Sequence, residues 1–422
     1  MGGVMNSKKL RLFIIGITLF ILSSNFVLVS SYTNNVEDIL YTTTAEKGWH
    51  LDKIKIDGAW ALTNGSSDIV VAVIDSGINF AHPEITHCQW INEDEIAGNA
   101  IDDDLNGYTD DTHGWDFVTD GGNLPDNEPG PEAGDAIHWH ASFITGVIAG
   151  LGDGSGIVGV APNVSVMDVR VLKENNYAGT TNEVLGDAIR YAVDNGADVI
   201  SMSLQYYANS SDWFDDIVYA YNNGVVIVSC TGNTWQPSGG QYTCSYPGCF
   251  DEAISVGATN FDDAKADYSN YGPWTELVAP VGDESDTYSR LIRSIGGDGF
   301  SYYTGWGTSF ACPQVSAAVA LMLTVNSSLT ISDIRDILHD TATDLGTAGK
   351  DDYFGYGMLN VEGAVIEAIE RGSYNPVTET PTPTLTPTPT ETSPGFGIIL
   401  SSIGMSITIA IITIRKKTKN KR

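Results

Sequence analysis

An α/β fold, with a mostly parallel central sheet and helices on both faces, is what this sequence predicts, and three observations predict it. The run Asp68-Ile-Val-Val-Ala-Val-Ile74 is continuously apolar and β-branched, the pattern of a strand buried on both sides. Strand-like and helix-like segments then alternate along the chain. Glycines, alone or as Asn-Gly, stand at the junctions and supply the turns such units need.

The elements follow in order. Asp68–Ile74 opens the sheet, and Val164–Leu172 is a second strand. Thr180-x-x-Glu183 reads as a capping box for a helix whose apolar face is Val184, Leu185, Ala188, Ile189, Ala192 and Val193. That helix stops at Asn195-Gly196, and Asp198–Leu204 is the next strand. A helix over about 211–222 ends before Gly224, and the strands Val225–Ser229 and Ala253–Ala258 follow. His140 opens a helix of small and apolar residues, and Val315–Leu323 is another apolar helix. In such a sheet ligands gather at the carboxyl ends of the strands. Residues 36–371 are ample for one well-cored domain.

The chain of 422 residues carries 21 Lys and Arg against 53 Asp and Glu, a net charge of −32. Nine of the basic residues lie at the ends (Lys8, Lys9, Arg11 and six from Arg415 to Arg422), so the body is more acidic still. This excludes nucleic-acid binding by phosphate neutralisation. Five cysteines without a C-x-x-C pair exclude both a disulfide scaffold and a zinc knuckle. Cys244 and Cys249 flank Ser-Tyr-Pro-Gly and read either as a disulfide or as two free thiols. Cys88, Cys230 and Cys312 read as small buried side chains.

Both ends carry membrane signals. Residues 1–31 combine a basic start, an apolar run from Leu12 and a small-residue end at Val29-Ser-Ser31, a secretory signal cleaved before Tyr32. The other reading is a retained helix. Gly395–Ile414 is uncharged and long enough to span a bilayer, and the basic residues 415–422 behind it stay in the cytoplasm. The acidic body is therefore expected outside the cell. Residues 372–394 form a Thr/Pro-rich, extended stalk. Pro394-Gly395-Phe396 resembles the Pro-Gly-Phe sorting tails of archaeal surface proteins; that resemblance implies a helix cleaved and replaced by lipid, the alternative being a retained span.

Three polar residues sit where the fold places chemistry. Asp75 ends the buried strand in Val-Ile-Asp-Ser-Gly, His140 opens His-Ala-Ser-Phe-Ile-Thr-Gly, and Ser309 lies in Gly-Thr-Ser-Phe-Ala-Cys-Pro before an apolar helix. Singly each reads equally well as a cap or a packed residue. Together, in the order Asp, His, Ser, they resemble the boxes of the subtilisin-like serine peptidases. Thr231-Gly232-Asn233 resembles that family's oxyanion asparagine, and Gly355-Tyr-Gly-Met-Leu-Asn360 its closing turn. The likeness runs from about Trp49 to Ile369 and implies a three-layer subtilisin-like fold over residues 49–371. It implies that Asp75, His140 and Ser309 are catalytic, with Asn233 as an oxyanion donor. The chemistry agrees with those residue types: a serine hydroxyl needs a base to take its proton, and an imidazole needs a carboxylate to hold its tautomer.

The sequence departs from the family pattern at several points. Phe143 stands for a second histidine, Ala141-Ser142 for Gly-Thr, and Gln314 for a histidine after proline. Gln205 in Ser203-Leu-Gln-Tyr206 replaces a glycine where peptide backbone passes closely, so a narrowed cleft is expected and specificity is not readable. Residues 32–48 leave no room for an inhibitory pro-domain, so folding without one is expected.

Between Asp75 and His140 lies Asp102-Asp-Asp-Leu-Asn-Gly-Tyr-Thr-Asp-Asp111. Oxygen ligands at alternate positions followed by glycine match the start of an EF-hand-type loop, with Asp102, Asp104 and Asn106, the Tyr108 carbonyl, and Asp110 and Asp111 closing the shell. A structural Ca²⁺ is expected there; a solvated acidic loop is the plainer reading. The expected function is a monomeric, surface-anchored serine endopeptidase acting on proteins or peptides. The alternative is a catalytically silent, calcium-stabilised surface domain that binds a partner.

Overall fold

A computed structural model describes residues 47–119, 124–131, 139–172, 182–206, 213–234, 242–243 and 245–373. The signal at 1–31, most of the 32–48 segment, the stalk, the 395–414 span, the 415–422 tail and Cys244 lie outside the described residues. All the described residues belong to one compact unit.

After two short helices, α1 (Trp49–Lys53) and α2 (Ile56–Trp60), the chain enters β1 (Val70–Asp75). There follow β2 (Gly114–Asp116), α3 (His140–Ala149), β3 (Ser165–Arg170), α4 (Asn182–Asp194), β4 (Val199–Met202), α5 (Phe214–Asn222) and β5 (Val226–Cys230). The rest is β6 (Ala253–Thr259), β7 (Leu277–Pro280), β8 (Ile292–Ile295), β9 (Tyr302–Gly305), α6 (Cys312–Val325), α7 (Ile331–Thr341) and α8 (Val361–Ser373). Seven strands form one all-parallel sheet in the order β2-β3-β1-β4-β5-β6-β7, while β8 and β9 make a separate antiparallel hairpin.

The continuous apolar run of β1 is explained by its two neighbours and two covered faces. Val71 and Val73 pack into a core with α3, α6, α7 and α8, while Val70, Ala72 and Ile74 pack against α4 and α5 on the other side. Helix α6 is buried on every face from Cys312 to Met322, which is why it is apolar all round. Among the described residues the only helix long and apolar enough to cross a membrane is Thr308–Val325, and 83% of it is buried in the fold as a core element.

Sequence periodicity does not reveal β2, only three residues long at the sheet edge. It depends on Gly114, whose φ is +130° and where an added Cβ would lie 1.8 Å from the Asp168 carbonyl oxygen. Asp116 of β2 pairs with Arg170 of β3, and both side chains are buried. Burial pushes the Asp116 carboxyl up to about 6 against the pull of Arg170.

Cys249 is disulfide-bonded, whereas Cys88, Cys230 and Cys312 are free and buried. Burial pushes the Cys230 thiol up to about 11 and Cys312 to about 12, so both are inert protonated packing groups.

Removing one member of a buried ion pair leaves an unpaired charge, at a cost of about 3–5 kcal/mol. Arg170→Met is therefore expected to lower the melting temperature by roughly 10 °C in a thermal scan. Losing Arg170 raises the folded Asp116 carboxyl beyond its value of about 6, so the deficit is smallest below about pH 6, where both folded forms hold the proton, and grows as pH rises above it.

Candidate active site

The cleft opens at the carboxyl ends of the central strands. Asp75 is the last residue of β1 and 1% exposed, so its carboxylate requires partners. It has them. Oδ1 accepts from the Ser76 N–H at 2.7 Å, and His140 Nδ1 lies 2.8 Å from Oδ1 and 3.0 Å from Oδ2. An ionised carboxylate only accepts, so the donor of this bond is His140 Nδ1–H.

His140 is the first residue of α3, which is held against the end of β1 by polar bonds. Ala141 N–H donates to Ser76 Oγ at 3.2 Å, and Asn79 N–H donates to Ser142 Oγ at 2.9 Å. Phe143 is buried against Phe310, with ring centroids 4.1 Å apart. The His140 ring lies near Phe310 and Trp139, at 5.7 and 5.8 Å.

Ser309 sits in the tight turn Thr308–Phe310 that leads into α6. Gly307 enables the approach with a φ of +135°. The Ser309 hydroxyl lies 3.5 Å from the Ser203 carbonyl oxygen, and Ser203 Oγ donates to the Ser309 carbonyl at 2.7 Å. Gln314 is fully buried and its amide donates to the carbonyls of Pro280 and Phe310, both at 2.9 Å, so it fixes the turn from below.

Asn233 follows β5 by three residues and is buried. Its Oδ1 accepts from Thr308 N–H at 2.8 Å and from Thr308 Oγ1 at 3.0 Å. With the oxygen held there, Nδ2 is the donor end that faces the other way. His140, Ser309 and Asn233 line one cavity of about 360 Å³ together with Trp139, Ser203, Gln205 and Phe310. Gln205 lines this cavity without filling it: its side chain is turned onto the loop, where Oε1 accepts the Asn233 N–H at 2.8 Å.

The carboxylates of Asp104 and Asp111 converge with that of Glu95, their oxygens all within 4.8 Å of one another. Oxygens at 2.3–2.6 Å from one Ca²⁺ lie at most about 5 Å apart, so this set fits the ion. Asp111 is fully buried, and burial raises its carboxyl, opposed by the hydroxyl of Tyr191. Asp102 accepts from the backbone of Asn106 and Gly107, at 3.1 and 2.9 Å, as Glu95 does from Asp103 and Asp110, at 2.6 and 2.9 Å. Asp110 accepts from Asn99 and Ala100, at 3.0 and 2.8 Å. The Asn106 amide bridges Asp104 and Asp111, and the Tyr108 ring packs on Trp115, Phe117 and Tyr191. Glu95 precedes the motif and was not among the residues it suggested; its only sequence signal is the acidic run Glu93-Asp-Glu95.

Residues 66–357, which include Asp75, His140, Asn233 and Ser309, match the model of the Subtilase family. The chain is 32% identical over 310 residues to a thermophilic serine proteinase from a Bacillus strain, covering 73% of this chain and 64% of that protein. It is 31% identical over 312 residues to subtilisin DY of Bacillus licheniformis, covering 74% and 96%. It is 30% identical over 321 residues to the halolysin-like extracellular serine protease Nep of Natrialba magadii, covering 76% and 51%. With its parallel sheet, its cleft and this match over most of its length, the chain belongs to the subtilase family, the subtilisin-like serine endopeptidases.

Proposed function

We propose that this chain hydrolyses peptide bonds outside the cell through an acyl-enzyme on Ser309, with His140 as base and acid and Asp75 as its orienting carboxylate. The observation that carries the reading is the buried Asp75–His140 hydrogen bond in the cleft that Ser309 also lines. Ser309 Oγ attacks the scissile carbonyl carbon while its proton passes to His140 Nε2. Asp75 holds Nδ1–H throughout and stabilises the imidazolium without taking the proton. The tetrahedral oxyanion is met by Asn233 Nδ2 and the Ser309 N–H. His140 then protonates the leaving amine, and a water activated by the same imidazole frees the acid product and returns the proton to Ser309.

The location is read from the charge pattern and from relatives whose names call them extracellular. The Thr/Pro stalk and the 395–414 segment would tether the acidic body to the outer membrane face, as a span or through a lipid. Glu95, Asp104 and Asp111 would hold a structural Ca²⁺, whose two positive charges offset most of the negative charge of three converging carboxylates.

A fluorophosphonate probe tests the enzyme reading. It is expected to label Ser309, and His140→Ala is expected to suppress labelling and to lower kcat by 10⁴ or more, on the order seen when a triad acts as a unit. Folded, calcium-loaded protein that does not react would instead mark a silent binding domain.

Calcium at about a hundredfold its Kd is worth roughly 2.7 kcal/mol to the folded state. The melting temperature should therefore rise by roughly 5–10 °C on calcium addition. Asp111→Asn should remove that increment, and a melting curve indifferent to chelator would overturn the site.

A further inference from the structure

We propose that Gln205 is a positioning residue for the oxyanion donor: its side-chain carbonyl takes the place of a sheet hydrogen bond and holds Asn233 beside Ser309. The main-chain ladder between β4 and β5 ends at Met202 and Ser229. Beyond it both chains run on to line the cleft, Ser203-Leu-Gln205 on one side and Asn233 on the other. The flanking N–H groups keep backbone acceptors, Thr231 donating to the Val256 carbonyl at 2.9 Å and Thr234 to the Tyr268 carbonyl at 3.0 Å. Asn233 N–H donates instead to Gln205 Oε1 at 2.8 Å.

The loop position is thereby restrained from two independent directions. Thr308, next to the nucleophile, holds the Asn233 side-chain oxygen and so sets which way the amide points. Gln205, at the end of a different strand, holds the main chain from which that amide projects. Strand β4 is itself tied to the nucleophile turn, since Ser203 Oγ donates to the Ser309 carbonyl at 2.7 Å. Gln205 therefore links the donor loop to an element already registered on Ser309. A glycine at 205 offers Asn233 no side-chain acceptor, and the loop is then held by Thr308, by the strand ends and by the antiparallel bridge between Asn233 and Ser269. Oxyanion stabilisation depends on donor placement to a few tenths of an ångström, so the loss should fall on the transition state rather than on substrate binding.

The inference rests on the reading of Asn233 as an oxyanion donor, and a double-mutant cycle separates the two. Gln205→Met keeps the bulk and removes the acceptor, while Gln205→Gly removes both. Turnover of a peptide p-nitroanilide is measured per active site, counted by complete fluorophosphonate labelling of the folded fraction. Both variants are expected to lose about three- to tenfold in kcat, what one neutral hydrogen bond is worth, with KM within about twofold. In an Asn233→Ala background, itself reduced on the order of 10²–10³ as in subtilisin, the same substitutions should cost nothing further. A loss carried by KM, a Gly variant as fast as the parent, or an equal loss in the Asn233→Ala background would each overturn the role of Gln205. An Asn233→Ala variant with unchanged kcat would instead overturn the donor reading beneath it.

Discussion

A carboxylate buried at the end of the central strand is the constraint around which this molecule is arranged. At 1% exposure, Asp75 must be met by donors or lie unpaired in a low-dielectric interior. One donor is local, the N–H of Ser76. The other comes from His140, 65 residues on, and it requires α3 to begin at one place with one orientation. Ser76 and Ser142 secure that placement by accepting backbone N–H groups across the junction. The Asp75 carbonyl also accepts from Val171 and Leu172, so the chain leaving β3 is fastened to the same point.

Much of this was legible in the sequence for a physical reason. A strand with apolar neighbours on both faces must be apolar throughout, so Asp68–Ile74 announced both a parallel sheet and the polar residue that ends it. Helices α4 and α6 were equally open to reading, one from a single apolar stripe and the other from apolar residues all round. The three-residue β2 and the hairpin β8–β9 are too short or too polar for periodicity to register. The acidic loop was legible as a cluster but not as a geometry. Repeated aspartates do not say which carboxylates will converge, and here Glu95, outside the motif, meets Asp104 and Asp111, while Glu95, Asp102 and Asp110 all accept backbone N–H groups of the loop.

The departures from the family pattern have structural uses of their own. Phe143 packs on Phe310, and Gly305 leaves room for both rings, since a Cβ there would come 2.6 Å from the Phe310 ring. Gln314 joins the turn that carries Ser309 to the end of β7 through two carbonyls. In both cases the substituted side chain supports Ser309 from behind without entering the cleft. The sequence could show that these positions had changed, but not that the new groups had found partners.

The two halves of the cleft are built to different standards of rigidity. On the proposed acid–base side, His140 and Asp75 are buried, bonded to each other and carried by regular elements with packed faces. On the side proposed to meet the oxyanion, Asn233 stands in a loop past the end of its strand, bridged to Ser269, and side-chain hydrogen bonds with Gln205 and Thr308 register it on the turn that carries Ser309. A buried charge tolerates little displacement, whereas a neutral amide in a loop can shift by fractions of an ångström at modest cost. Sequence change that leaves the fold intact should therefore act on this chemistry chiefly from the oxyanion side, through the side chains that reach Asn233. Gln205 and Thr308 occupy those positions, the first from the strand that also touches the Ser309 carbonyl and the second from the turn that carries Ser309 itself.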